Sequence, residues 1–302
     1  MTRRIFARSG LSFERLRTFC EVVSAAGISK AAPGDPNRQS QFSRQLKELE
    51  EFFGAELLRR THGRFELTSA GRELFKIVKS HFNALEDLAD RCANENVEVT
   101  FGAGESLLHW LLFPCLAEFR RKHPTIALVL HNLRTDEIAN RLCDARLDLG
   151  LLRQDAVRPP LGSARLGSIE YRLTMPRGSW RSRRRNIWTS LAKQPVAILA
   201  GSEVSAAFER EATIKGIRLN VCLRASSYAQ LTEAVSLLGC SAVLPTFVSE
   251  NTENDVVSIS ALKPFTRLVA LVWNPRFILL RPFVASAIET LTGTLRRKFS
   301  QE

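Results

Sequence analysis

The sequence predicts an α/β protein in three parts. A winged helix-turn-helix occupies 1–72, a linking helix 73–95, and a two-lobed α/β domain 96–302. One lobe of that domain is assigned to 96–160 and 265–302, the other to 161–264. Three observations carry this prediction. Apolar residues recur at helical spacing in successive N-terminal segments, strand and helix signals alternate from Val97 onward, and prolines interrupt the alternation near Pro160 and Pro264. A chain of 302 residues has room for two or three such domains.

The first helix follows from Phe13, Leu16, Phe19, Cys20 and Val23, which share one face, and Gly27 ends it. A short helical piece, Ser29 to Ala32, is stopped by Pro33-Gly34-Asp35-Pro36. Asn37 is the expected N-cap of the next helix, whose stripe is Phe42, Leu46, Leu49 and Phe53, and Gly54 closes it. With Phe42 set inward, Ser40, Arg44 and Lys47 project outward at about 100° per residue, flanked by Gln41 and Ser43. Short helix, turn and polar-faced helix is the order of a helix-turn-helix. Such a face carries groups suited to base edges and phosphates. Arg59, Arg60, His62 and Arg64 around Gly63 read as a small wing with phosphate contacts. By spacing alone, a three-helix bundle with a solvated face fits equally well.

From Gly71 to Cys92, Leu74, Val78, His81, Leu85, Leu88 and Cys92 form a seam at alternating four- and three-residue steps. A second copy of the chain would bury it. His81 is expected to pack there rather than hold a metal, since no second ligand lies at helical spacing. The C-terminal part reads as strand at 97–101, helix at 106–122, strand at 126–130, helix at 136–144 and strand at 147–152. A mainly parallel sheet is expected from it. The second lobe follows with strands near 169–175, 196–199, 218–223 and 241–244 and helices near 203–214 and 227–238. Strands near 256–259 and 267–273 and a helix near 283–298 end the chain. Two lobes joined by two crossings make a cleft, where ligands bind.

Net charge is +12, with +5 in 1–72, −2 in 73–95 and +9 in 96–302. That balance favours polyanion partners such as DNA. Part of the C-terminal excess is the cluster Arg181, Arg183, Arg184 and Arg185, which reads as a solvated loop. No run nears the roughly 18 apolar residues a membrane span requires, and no apolar leader follows Arg3, Arg4 and Arg8. Six cysteines without a C-x-x-C pair suggest a reducing cytoplasm and buried structural thiols; for Cys222 and Cys240 of the second lobe a thiol switch is the alternative to structural burial. G-x-S-x-G, H-E-x-x-H, P-loop and G-x-G-x-x-G motifs are absent, and the five histidines do not cluster. The expectation is a non-enzyme without cofactor or metal.

Ala31-Ala32, Gln39, Ser43-Arg44-Gln45-Leu46, Leu49-Glu50 and Gly54 stand at the spacings of the LysR-type transcriptional regulator helix-turn-helix. Leu57 to Gly71 resembles that family's wing and the start of its next helix. Asp35, Arg38 and Ser40 depart from the pattern, standing where Leu, Ser and Pro are usual. Phe101-Gly102-Ala103, Phe119 to Pro124, Arg146-Leu147-Asp148-Leu149 and Val243-Leu244-Pro245 resemble its effector-binding domain, which looks like a periplasmic binding protein.

The resemblance implies a homodimeric or homotetrameric, sequence-specific DNA-binding regulator under the control of a small-molecule effector. Arg38, Gln39, Ser40, Gln41, Ser43, Arg44, Lys47, Arg60 and Arg64 are its candidate DNA contacts. Ser106, Arg134, Thr135, Gly201 and Ser202 are its candidate effector contacts, because small residues and helix starts at the cleft can hold a carboxylate. The alternative is a two-lobed solute-binding or enzymatic domain whose N-terminal helices serve only assembly.

Overall fold

The structure is a computed structural model describing residues 9–61, 64–93, 95–179, 187–249 and 254–300. Two compact units divide it. The first runs to Val97 and takes in Asp144–Arg146 and Leu279–Arg281; the second holds the rest.

The first unit is built on α1 (Phe13–Ser24), α2 (Ile28–Ala31), α3 (Pro36–Phe53), a hairpin of β1 (Leu58–Thr61) with β2 (Arg64–Leu67), and α4 (Ser69–Cys92). Ser12 caps α1, accepting from the Arg15 amide. The cap of α3 is Asp35 rather than the expected Asn37: its carboxylate accepts from the Arg38 amide at 2.9 Å, with Pro36 at the first helical position. Proline suits that position because its missing N–H would have no helical partner there. The Pro-Gly-Asp-Pro run is therefore a helix start.

Phe42, Leu46 and Leu49 enter the core with Phe19, Val22 and Leu57, but Phe53 and Phe13 are exposed. Gln45 takes a buried place instead. The Thr18 hydroxyl donates to its Oε1 at 2.6 Å, and its amide nitrogen donates to Glu14 at 2.9 Å, tying α3 to α1. Glu50 accepts from the Leu57 and Leu58 amides at 2.8 and 3.2 Å, fixing the chain as it enters the wing. Thr68 caps α4, and a side chain at Gly71 would put a carbon 2.0 Å from the Leu57 carbonyl oxygen. Only glycine lets that helix approach so closely.

The seam predicted along α4 divides. Leu74 and Val78 are buried in the chain's own core, whereas His81, Leu85, Leu88 and Cys92 are exposed. Within the same unit the buried carboxylate of Asp87 accepts two hydrogen bonds from Arg281, at 2.5 and 2.8 Å.

The second unit holds two five-stranded sheets. The first orders β3 (Val97–Ala103), β4 (Ile126–Asn132), β5 (Leu149–Arg153), β6 (Gly162–Ile169) and β12 (Arg267–Trp273) as β4-β3-β5-β12-β6. The second orders β7 (Tyr171–Met175), β8 (Pro195–Leu199), β9 (Asn220–Ala225), β10 (Ser241–Pro245) and β11 (Asp255–Val257) as β11-β7-β10-β8-β9.

Both sheets are mixed rather than mainly parallel. β3 and β5 run parallel, as do β8, β9 and β10, but β12 is antiparallel to β5 and β6, and β7 to β10 and β11. The antiparallel strands are the ones at which the chain passes between sheets. The first lobe also extends past its expected end at 160, because β6 pairs with β12 and the crossing falls at Glu170.

Helices α5 (Leu116–Lys122), α6 (Thr135–Cys143), α7 (Ile187–Leu191), α8 (Glu203–Ile214), α9 (Tyr228–Leu238), α10 (Thr246–Ser249), α11 (Pro275–Ile278) and α12 (Pro282–Ser300) complete the fold. The helix expected over 106–122 is broken. Leu107–Leu112 forms a π-type turn and Phe113–Cys115 a 3-10 turn before α5 begins. Pro114 lacks the N–H an uninterrupted α-helix would need there. The Asp148 carboxylate accepts from the Thr100 amide and hydroxyl, each at 2.8 Å, and joins β3 to the start of β5. The Arg181–Arg185 cluster lies outside the described residues.

Candidate nucleic-acid interface and ligand cavity

The outward face of α3 presents Ser40, Gln41, Ser43, Arg44 and Lys47, all exposed, on a helix whose opposite face is locked into the core. Arg44 and Lys47 are 75 and 78 % exposed, each beside a glutamate one turn on, at 3.7 and 3.9 Å. Such exposed pairs contribute about 0.3–0.5 kcal/mol and do not hold a side chain back from a phosphate.

Other candidates are engaged within the chain. Arg38 lies 3.4 Å from Glu21 and stacks over the Phe42 ring at 5.1 Å. Gln41 donates to Glu14 at 3.4 Å, and the Ser40 hydroxyl donates to the Pro36 carbonyl at 2.9 Å. Gln39 is half-buried and donates to the Ala32 carbonyl at 2.8 Å, so its amide holds the turn between α2 and α3 rather than facing outward. Arg60 and Arg64 stand on the two wing strands, where Arg60 faces Phe65 and Arg64 faces Thr61 in register; their side chains are outside the described set.

Between the two sheets of the second unit lies a cavity of about 790 Å³. Ser106, Arg134 and Thr135 line it, as the sequence predicts. Gly201 and Ser202 fall outside its lining; Ser202 is the N-cap of α8, and its hydroxyl is hydrogen-bonded to Tyr228.

Sequence reasoning missed the cavity's opposite wall. Tyr171 and Tyr228, the only tyrosines in the chain, both line it and share a hydrogen bond. Burial pushes both phenols above their ordinary range; the Tyr228 O–H donates to Tyr171, which leaves the Tyr171 O–H for a ligand. Arg153 and Arg267 also line the cavity, paired with Asp155 at 3.4 Å and Glu203 at 3.5 Å. Leu107, Leu151, Ile169, Phe247 and Val269 supply apolar surface, and Asp136 and Glu137 stand at the start of α6. The rarity of tyrosine was the one signal that could have singled these two out. Among the described residues no group of three His, Cys, Asp or Glu is placed to hold a metal ion.

Family models place this architecture. The LysR substrate binding domain matches residues 94–296, and the bacterial regulatory helix-turn-helix protein model of the lysR family matches 13–72. The chain belongs to the LysR family.

LysR relatives with curated names include the HTH-type transcriptional regulator AlsR of Bacillus subtilis, 30% identical over 156 residues, and BenM of Acinetobacter baylyi, 27% identical over 146. These alignments take in 50% of each chain for AlsR, and 47% of this chain and 48% of BenM. The chain therefore matches about half the length of these relatives. Among solved LysR structures, a full-length OxyR variant from Pseudomonas aeruginosa superposes with a TM-score of 0.61 at 17% identity, covering 94% of this chain and 97% of that one. Full-length CbnR complexed with its target DNA superposes at 0.52 and 18% identity, covering 95% and 100%. These likenesses establish the shared fold. No helix among the described residues is long and apolar enough to cross a membrane.

Proposed function

We propose that this LysR-family chain is a sequence-specific, DNA-binding transcription regulator, without enzymatic activity, working in the cytoplasm. The observation that carries the reading is the outward face of α3. Five polar residues, two of them weakly paired cations, project from a helix that Thr18, Gln45 and Glu50 hold rigidly in place. Ser43, Arg44 and Lys47 read or anchor the site, with Ser40, Gln41 and Arg38 beside them; Arg60 and Arg64 of the wing reach the flanking phosphates.

The exposed apolar side chains of α4 support pairing with a second copy. Ile77, Leu85 and Leu88 are each about half exposed there, an apolar stripe that a two-fold mate would cover. Two copies would present two reading helices to a two-fold DNA site. Control comes from the cavity of the second unit. Arg134, Arg153 and Arg267 together with the Tyr171 hydroxyl suit a small organic anion, and the apolar lining suits a hydrocarbon body. A ligand that prefers one spacing of the two lobes shifts the population toward it.

The test is fluorescence anisotropy with genomic fragments selected by the protein itself, measured across a salt series. Arg44→Ala and Lys47→Ala should each make the slope of log K against log salt shallower by about 0.9, one phosphate contact apiece. Absence of fragment binding at low salt would overturn the proposal.

A further inference from the structure

The two cysteines of the second sheet lie against each other. Cys222 stands on β9 and Cys240 immediately precedes β10, strands that flank β8 on opposite sides, yet their sulfur atoms are 3.1 Å apart. Two local departures from regular backbone bring them there. Along the β8–β9 ladder Val196 faces Val221 and Ala197 faces Leu223, so Cys222 is the extra residue of a register slip. An extra residue in a strand re-aims its side chain. At the other end, Gly239 closes α9 in the left-handed region with φ 63°, and the Cys240 amide turns back to donate to the Ala234 carbonyl at 3.2 Å.

The expectation of two buried structural thiols holds for Cys240 and fails for Cys222, which is exposed. We infer that Cys222 and Cys240 form a reversible intrachain disulfide site, oxidised by a hydroperoxide. Bonded sulfurs sit about 2.05 Å apart, so closure requires a movement of about 1 Å.

Solvent access assigns the roles. The exposed Cys222 thiolate attacks the peroxide oxygen: an S–O bond forms, the O–O bond breaks, and the alcohol or water leaves with a proton. The Cys240 sulfur then attacks the Cys222 sulfur of the sulfenic acid; the S–S bond forms, the S–O bond breaks, and water leaves with the Cys240 proton. Two thiols lose two electrons and two protons, and the peroxide is reduced to alcohol and water. Burial, and then its hydrogen bond with Cys222, push the Cys240 thiol up to about 11. It therefore waits as a thiol beside the sulfur that reacts first. The loop so closed contains the whole of α9, whose Tyr228 forms part of the cavity wall, so the modification would tie down an element that meets the ligand.

The experiment uses the reduced full-length chain, titrated with hydrogen peroxide, alkylated and mapped by mass spectrometry without reduction. A peptide pair joined through Cys222 and Cys240 is expected, with two thiols lost per chain and regained on adding dithiothreitol. In Cys240→Ser a sulfenic acid at Cys222 should be captured by dimedone, and in Cys222→Ser no adduct should appear at Cys240. The inference fails if both thiols still alkylate after a treatment that oxidises exposed Cys92, or if Cys222 is joined only to a cysteine of another chain. Mapping of the unsubstituted chain decides the matter even where a serine variant folds poorly.

Discussion

The buried contact between Thr18 and Gln45 holds the reading helix on its support, and its worth can be separated from packing by a double-mutant cycle. Thr18 is 1 % and Gln45 7 % exposed, so neither gains water when its partner is removed. Gln45→Met nearly preserves volume but leaves the Thr18 hydroxyl without its acceptor. Thr18→Val does the converse to the Gln45 carbonyl oxygen. A buried polar group stripped of its partner costs about 2 kcal/mol. Glu14, which also accepts from Gln45, is exposed and rehydrates at little cost. The double variant removes both polar groups at once and should lose only the net value of the bond, about 1 kcal/mol.

Two singles at about 2 kcal/mol each and a double at about 1 kcal/mol give a coupling of about 3 kcal/mol. At about 4–8 °C per kcal/mol, each single should lower the N-terminal melting transition by about 10 °C and the double by about 5 °C. The four tryptophans, at 110, 180, 188 and 273, all lie beyond the first unit's main span. Far-UV circular dichroism should therefore record the loss while tryptophan fluorescence stays near its original midpoint. Additive single effects, with the double melting lowest, would refute the reasoning.

Four other outcomes follow from particular contacts. Gly71→Ala drives a carbon into the Leu57 carbonyl oxygen and should cost about 3 kcal/mol, abolishing fragment binding at temperatures where the unsubstituted chain binds; circular dichroism melting reads the cost. Asp87→Asn leaves Arg281 buried beside a neutral partner and should cost about 3–5 kcal/mol in the same melt, whereas Asp87→Leu with Arg281→Met should recover most of it. Tyr171→Phe removes the phenolic O–H that is not spent on the bond between the two tyrosines. It should weaken any carboxylate that stabilises the chain about tenfold, or about 1.4 kcal/mol, seen as a smaller thermal shift at fixed concentration. His123, whose imidazole meets the Thr290 hydroxyl at 2.9 Å, has its pKa lowered first by burial and then by Lys122, so folding favours the neutral ring. Its stabilisation is complete above the unfolded pKa of about 6.5 and declines as pH falls below that value toward the folded pKa. The melting midpoint should fall between pH 7.5 and 5, and less steeply in His123→Asn.

The N-terminal reading succeeded where side-chain spacing decides structure, and failed where two solutions share one spacing. The helical stripe fixed which side of α3 is buried, and hence that Ser40, Arg44 and Lys47 face out. It could not tell that Phe53 gives way to Gln45, because a glutamine belongs inside only when a threonine and a glutamate from another helix meet its amide. Likewise the heptad seam of α4 was legible, but whether its residues face their own domain or a second copy is a matter of tertiary contact. Leu74 and Val78 chose the former, while Leu85 and Leu88 remain open. The two prolines flanking Asp35 suggest a disruptive turn. Proline at the first helical position is compatible with a capping aspartate, so the same residues that stop the preceding segment start α3.

In the C-terminal half the order of elements was legible and the direction of strands was not. Alternating strands and helices imply parallel pairing only while the chain stays in one sheet. Here β7 and β12 follow crossings between the lobes, and each enters its new sheet antiparallel to its neighbours. The cavity shows the same limit. Ser106, Arg134 and Thr135 were found because they begin helices after strands, a position the fold places at the cleft. Tyr171, Arg153 and Arg267 sit within or at the ends of strands, where period-two patterning says which face a residue takes but not what that face looks onto. Composition carried the missing hint. A chain with 18 phenylalanines and two tyrosines has little general use for a phenolic hydroxyl, so both tyrosines sharing one hydrogen bond in one cavity points to what that cavity must recognise rather than to packing.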